Sequence, residues 1–423
     1  MLMSYLMKIR LTQWFSSFTK QRQPSPAWSA TPDADGDPLK AALFSSAQMA
    51  QYGKTLAQSH KLSSTSMSYH LTRRLDENEA VITRHCSMLS AADKASITPA
   101  GEWLLDNYYL IEEQIRLVRH HLPKDFGKGL PVLLPPHRRP RIYDIATEII
   151  AHGDGRWDKE SLSHFIVAYQ EVAPLTLGEL WALPGMRRLA LIENLRRVSI
   201  EVPNTQQARQ LAERWVSKLV ACAEQRQSEL VMLIADLARA KPPLDSAFVA
   251  ELVRRLQGLG HLLMLPLTWL EQQLANNGTT ADALTQRFSQ QLAAQQLFVS
   301  NSINGLRLLS ETHWADFTEA MSLVDRTLQQ DPAGVYPEMH FDTRDHYCHV
   351  IEMLARHSRH SEGEIAQQVL ALAREGDAST TAHHVGYYLI GDGRARLEQQ
   401  LATDISWLAR LRDGFNQIPL LSS

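Results

Sequence analysis

Cysteine is scarce in this chain: Cys86, Cys222 and Cys348 lie far apart in 423 residues, and no Cys-x-x-Cys or Cys/His ligand spacing accompanies them. That argues against a disulfide scaffold and a cysteine-held zinc site, and an odd number of scattered thiols suits a reducing compartment. A dominant sign of charge is missing as well. Forty-three Lys and Arg against forty-six Asp and Glu leave a formal charge of −3, so no global field selects nucleic acid or an anionic membrane. Long apolar runs are absent too: the best candidate, Leu256 to Leu270, is interrupted by His261 and Pro266 and is too short to cross hydrocarbon as a helix. Strict period-two alternation is nearly lacking, so strands contribute little, and no fixed repeat marks a solenoid. The amino terminus lacks both a basic region ahead of an apolar core and a small-residue cleavage site, which argues against a secretory signal.

What is present is helical pattern over an apolar content of 44%, ample for a buried core in one large or two medium domains. Residues 1–40 read as an amphipathic segment followed by a disordered linker. Leu2, Leu6, Ile9, Trp14, Phe15 and Phe18 beside Lys8 and Arg10 suit a membrane surface or a helix capping the protein's own core, and 21–40 carries no hydrophobic period. Residues 41–135 are expected to form a helical subdomain and 136–423 a second helical domain. Leu104, Tyr108, Ile111, Ile115, Val118 and Leu122 share one face of a helix ending at Pro123, and the 127–140 stretch, with four prolines and two glycines, must be an ordered loop or hinge. Thr176-Leu-Gly-Glu179 is a capping box, after which Pro184 is expected to kink or restart the helix. Lys241-Pro-Pro243 and Asn276-Asn-Gly278 separate further helices. The expected fold is all-α, a multi-helix array of antiparallel helix pairs.

One stretch concentrates chemistry: Asp331-Pro-Ala-Gly-Val-Tyr-Pro-Glu-Met-His-Phe-Asp-Thr-Arg-Asp-His-Tyr347. Turn formers lead into a helix that Asp342 or Thr343 is placed to cap, with Tyr347, Val350, Ile351 and Leu354 on its buried face. Asp331, Tyr336, Asp342, Arg344, Asp345 and Tyr347, with His384 and Tyr387 further on, are the candidate contacts to a glycan or a neighbouring domain. Asp342 and Asp345 could serve as the carboxylate pair of a glycosidase, or simply as acids favoured at a helix start and paired by Arg344. Neither His383-His384 nor His120-His121 suits a metal, because adjacent helical residues point about 100° apart. No metal ligand set and no catalytic residue is assigned. Arg138, Arg139 and Arg141, and the pairs Arg187-Arg188 and Arg196-Arg197, are either lipid or partner contacts or solvated helix faces. Trp103, Tyr108, Tyr109, Trp181 and Trp269 are expected to pack in the core.

The Asp331 to Tyr347 stretch resembles one found in cyclic β-1,2-glucan synthases, large bacterial inner-membrane enzymes. Further resemblance lies in Trp103-Leu-Leu-Asp-Asn-Tyr108, Pro140-Arg-Ile-Tyr143, Ala168-Tyr-Gln170, Leu175 to Ala182, Arg187 to Arg196, Ser300 to Leu308 and His384 to Ile390, covering about residues 100–400 in the family's order. Two departures stand out: His340 where the family has aspartate, and Cys348 where it has arginine. The resemblance implies an amino-terminal region ahead of the first membrane span, on the cytoplasmic face. UDP-glucose and a divalent metal are implied for the full-length family, no cofactor for this chain, and the remaining synthase domains as partners, with peripheral membrane contact and no nucleic acid. The chain stops at Ser423, about where a first span is expected, so a truncated or split gene product or a separate accessory chain is anticipated. The family's metal-binding Asp-x-Asp and acceptor-gripping Gln-x-x-Arg-Trp have only look-alikes here: Asp33-Ala-Asp35 sits in the linker, and Gln210 is one residue too far from Arg214-Trp215. A non-catalytic docking or regulatory platform is therefore expected. The alternative is a stand-alone helical-toroid hydrolase or phosphorylase acting on β-glucan.

Overall fold

The computed structural model describes residues 44–63, 71–92, 97–121, 129–135, 137–153, 159–257 and 263–401. The amino-terminal segment and linker, Asp33-Ala-Asp35, the stop at Pro123 and His261 lie outside them. The described residues hold seventeen α-helices and no strand, beyond two isolated bridges pairing Leu62 with Leu133 and Val132 with Pro140. The fold is all-α. In chain order the helices are α1 (Ser46–Ser59), α2 (Leu71–Ser90), α3 (Pro99–Asp106), α4 (Tyr108–His121), α5 (Arg141–Gly153), α6 (Lys159–Gln170), α7 (Leu177–Gln225), α8 (Leu230–Ala240) and α9 (Ser246–Leu256). They continue as α10 (Met264–Asn276), α11 (Ala281–Glu311), α12 (Trp314–Met321), α13 (Leu323–Leu328), α14 (Phe341–His357), α15 (Glu362–Glu375), α16 (Val385–Leu389) and α17 (Arg394–Gln400). None is long and apolar enough to cross a membrane.

Helix α7 is the spine, 49 residues and thus about 74 Å long. Its start is the expected capping box: the Glu179 N–H donates to Thr176 Oγ1, and the Thr176 N–H donates to Glu179 Oε2 at 3.0 Å. Of the two outcomes expected at Pro184, a kink or a restart, the restart does not occur: the helix runs unbroken through both Pro184 and Pro203. A proline inside a helix costs about 3 kcal/mol, but Leu183, Met186, Leu189, Leu191, Ile192 and Leu195 are all fully buried around it. At about 1.5–3 kcal/mol per buried side chain, packing outweighs that loss.

Three hydrophobic cores hang on this spine. The first, between Met49 and Met321, takes residues from both sides of the proline-rich 127–140 stretch and includes the first half of α7. A second gathers α13 to α17 with Leu177. The third joins Ala208, Ala212, Val216, Leu219 and Ala223 of the far half of α7 to α8, α9, α10 and the start of α11. Helix α11 also bridges cores, with Leu284 and Phe288 in the third and Ile303, Leu306 and Leu309 in the first.

Two more local expectations fail. The single helix over 104–122 is broken at Asn107, whose side-chain amide donates to the Trp103 carbonyl at 2.9 Å and whose Oδ1 accepts from Arg307 at 2.6 Å. An asparagine that bonds its own backbone competes with helix continuation. Of the five aromatics expected in the core, Trp103 and Tyr108 pack partly buried against the first core and Trp269 against the third, Trp181 is partly buried, and Tyr109, 64% exposed, is the exception. The stops at Lys241, left-handed with φ 45°, and at Asn276 to Gly278 are where the sequence puts them.

The arginine clusters face inward rather than toward lipid. Arg141, 4% exposed, grips both carboxylate oxygens of fully buried Glu179 and donates to the Pro174 carbonyl at 2.9 Å. Arg188 donates to Gln114 Oε1 at 3.0 Å and to the Leu309 carbonyl at 2.9 Å. Glu193 accepts two bonds from Arg74, at 2.9 and 2.6 Å, with Arg196 and Arg197 each 3.7 Å away. Arg139 bonds Asp144, which also accepts from His60 Nε2 at 3.0 Å. These charged groups each meet a polar or charged partner, as burial in a low dielectric demands, whereas burial pulls the Arg187 guanidinium down to about 9.

Candidate functional site

The chemistry-rich stretch lies in the second core and begins with a turn. Asp331, 6% exposed, is its hub. Its Oδ2 accepts the N–H groups of Val335 and Tyr336 at 3.1 and 3.2 Å, closing its own loop around Gly334, whose φ of 65° suits glycine. The same carboxylate reaches across to the far end of the core. His384 Nδ1 donates to Oδ2 at 2.7 Å and the Val385 N–H donates to Oδ1 at 3.0 Å. Burial pushes the Asp331 carboxyl up, but the His384, Val385 and Tyr336 bonds outweigh it and hold the group below the ordinary range.

A proton on His384 Nδ1 leaves Nε2 to accept from the Tyr347 hydroxyl at 3.4 Å. Gly386 makes that approach sterically feasible, because a Cβ there would stand 2.2 Å from the Tyr347 oxygen and 2.6 Å from His384 Nε2. Tyr336 is fully buried, donates to Asp325 Oδ1 at 2.7 Å and lies 3.8 Å from Cys348 Sγ. Burial, then the neighbouring Cys348 and Asp325, push its phenol far up, so it stays a proton donor. Asp331, Tyr336, Tyr347 and His384 are thus brought together. Tyr387 is not part of that network; its ring packs edge-on to Tyr388 at 5.2 Å and lies over Gly393.

The remaining candidates sit around the start of α14. That helix begins at Phe341, ahead of the expected caps, and its cap position, His340, makes no side-chain cap bond. Asp342 is exposed in the first turn. Arg344 pairs with Glu319 of α12, tying the second core to the first. Asp345 and Arg344 line a cavity of about 20 Å³ with Trp181, Asp325 and Cys348, room for a water and not for a sugar ring. His383 Nδ1 contacts the Gly376 carbonyl at 3.2 Å, away from His384's partners. Among the described residues no three His, Cys, Asp or Glu side chains are placed to hold a metal ion.

Sequence reasoning missed a second joint, where the second core meets the start of α7. Glu362 Oε2 accepts the Leu177 N–H at 2.8 Å, and Glu352 approaches so closely that a Cβ on Gly178 would lie 3.2 Å from its Oε1. Burial, then the Glu352 carboxylate, push the Glu362 carboxyl up to about 8, overriding the helix start that would favour an anion. A carboxyl whose folded pKa is raised stabilises fully below its unfolded value and loses that contribution as pH rises through the folded one. The thermal midpoint is therefore expected to fall as pH rises from about 5 to about 8 and to level off above that, and Glu362→Gln to flatten the slope. Equal slopes in the two proteins would refute the assignment. Also unforeseen is the buried chain Tyr169–His60–Asp144, with His60 Nδ1 2.7 Å from the Tyr169 hydroxyl. Its members lie 84 and 109 residues apart, so no local spacing could show it.

No protein-family model matches the chain. Over 376 residues, 86% of its length, it is 31% identical to the cyclic β-(1,2)-glucan synthase NdvB of Rhizobium meliloti (strain 1021). The chain is related to the cyclic β-1,2-glucan synthases. It spans 13% of the length of that relative. Both departures from the glucan synthase pattern now have physical content. An aspartate at position 340 would stand at the cap of α14, where His340 accepts no N–H, and such caps are worth about 1 kcal/mol. An arginine at 348 would put a charge beside Tyr336 in the core, where Cys348 is buried and apolar.

Proposed function

We propose that this chain is a non-catalytic helical region of a cyclic β-1,2-glucan synthase system, corresponding to the part ahead of the first membrane span. It acts as a docking or regulatory platform on the cytoplasmic face of the bacterial inner membrane. UDP-glucose and its divalent metal belong, on this reading, to the remaining synthase domains, which are its partner, and the amino-terminal segment supplies peripheral membrane contact. The observation that carries the proposal is the inward direction of the motif's polar groups. Asp331 accepts four bonds from its own chain, Tyr336 and Tyr347 are buried, and Arg344 is engaged by Glu319. Groups so engaged hold a shape and do not reach for a substrate. A surface for a partner is available on the third core, where Val231 and Met232 of α8 and Met264 and Leu265 of α10 are each more than half exposed on helices that touch.

Co-purification with the remaining synthase domains tests this. The wild-type chain is expected to be retained, Met232→Lys with Leu265→Lys to weaken association at least about tenfold, and Arg344→Ala about threefold by loosening the joint between the first two cores. A wild-type chain that is not retained, or variants that bind as tightly, would overturn the reading. Reducing sugar or glucose 1-phosphate released from β-1,2-glucan by the purified chain would favour the stand-alone hydrolase or phosphorylase instead, with Asp342 or Asp345 as acid.

A further inference from the structure

Beyond Pro203 the outward side of α7 carries Asn204, Gln207, Gln210 and Arg214, spaced three, three and four apart and therefore stacked on one face. Facing them is the connection between α8 and α9, with Pro243 and Asp245. Between the two walls lies a groove of about 420 Å³, floored by Ala208 and Leu211. That volume is in the range of small-ligand sites, and about twenty times that of the cavity beside Arg344.

The lining chemistry narrows the occupant. The amides of Asn204, Gln207 and Gln210 and the guanidinium of Arg214 make no hydrogen bond among the described residues, and Asp245 uses Oδ1 to cap the Phe248 N–H at 2.8 Å. Three amides each offer a donor pair and an acceptor, Arg214 adds donors, and the second Asp245 oxygen adds an acceptor. The one positive and one negative group cancel, so a phosphate or nucleotide gains nothing from net charge and meets Asp245 as a like charge. A lipid tail finds too little apolar wall. An amphiphilic ligand with hydroxyls around its rim and a C–H face that can lie on Ala208, Leu211 and Pro243 matches both parts.

We propose that this groove binds a short neutral oligosaccharide, so that the platform holds glycan without acting on it. The site lies on the third core, apart from the Asp331 network and from the exposed apolar side chains of α8 and α10. Titration calorimetry of the full chain with β-1,2-linked glucotetraose, maltotetraose and UDP-glucose tests it. Saturable binding of a gluco-oligosaccharide is expected, with Kd about 0.1–1 mM for so open a groove. The pair Gln207→Ala and Gln210→Ala should weaken it at least about tenfold, whereas Gln272→Ala, an exposed amide on α10, should leave it unchanged. Gln207 and Gln272 are exposed and Gln210 half-buried, and alanine, a strong helix former, keeps the variants folded, which a thermal melt confirms. Absence of saturable binding to either oligosaccharide, binding that survives the double change, or binding of UDP-glucose alone would overturn the proposal. Those results would leave association with the synthase domains untouched, so the two readings fail separately.

Discussion

Glu179→Ala is expected to lower stability by about 3–5 kcal/mol, the largest single effect on the first core. Two losses coincide at that residue. Its Oε2 accepts the Thr176 N–H and closes the capping box of α7, a contribution of about 1 kcal/mol. More costly is Arg141, which is 4% exposed and would be left with the neutral Pro174 carbonyl and Tyr169 hydroxyl and no opposite charge. Removing one partner of a buried pair strands the other charge, whereas exchanging both for apolar residues of similar volume is often neutral. Denaturant melts of Glu179→Ala and of Arg141→Met with Glu179→Leu separate these cases. The double variant should recover most of the loss. A single variant that falls by less than about 1 kcal/mol would mean that water reaches Arg141 and that the joint is not closed.

Asp331→Ala should be nearly as damaging, at about 3–4 kcal/mol, but confined to the second core. It leaves the buried N–H groups of Tyr336 and Val385, the N–H of Val335 and the imidazole of His384 without their acceptor. Hydrogen exchange should accelerate over 331–336 and 384–389 while the first half of α7 stays protected. Because the folded Asp331 carboxyl lies below its ordinary range, its stabilisation is present above the unfolded value and disappears as pH falls through the depressed one. The wild-type second core should accordingly loosen at acid pH and the variant should have little further to lose there, the reverse of the loosening with rising pH expected from Glu362. Uniformly faster exchange across all three cores would show that the hub does not act locally.

Much of the helix punctuation was legible because it is local chemistry. The Thr176 to Glu179 box and the stops at Lys241 and Gly278 each need only residues within one turn of one another, and each is found. Reading failed where a distant partner decides. Pro184 stays within α7, whose residues on either side of it are buried in the first core, and Asn107 ends α3 with help from Arg307, 200 residues away. The arginines read as lipid or partner contacts or as solvated helix faces, since nothing near Arg188 in sequence reveals that Gln114 and Leu309 will meet it inside, although Glu193 stands within about one turn of Arg196 and Arg197. In the candidate site the pairing of Asp331 with His384 spans 53 positions, although both stood out singly as chemistry-bearing residues.

By itself the sequence determined the all-α class and the kinship with glucan synthases, since helix periodicity and shared motifs are carried by neighbours three and four residues apart. Only the tertiary structure decided what the motif's polar groups do. A carboxylate's partners are chosen by which helices pack together, and it is that packing which turned Asp331, Tyr336, Arg344 and His384 toward one another and toward the first core.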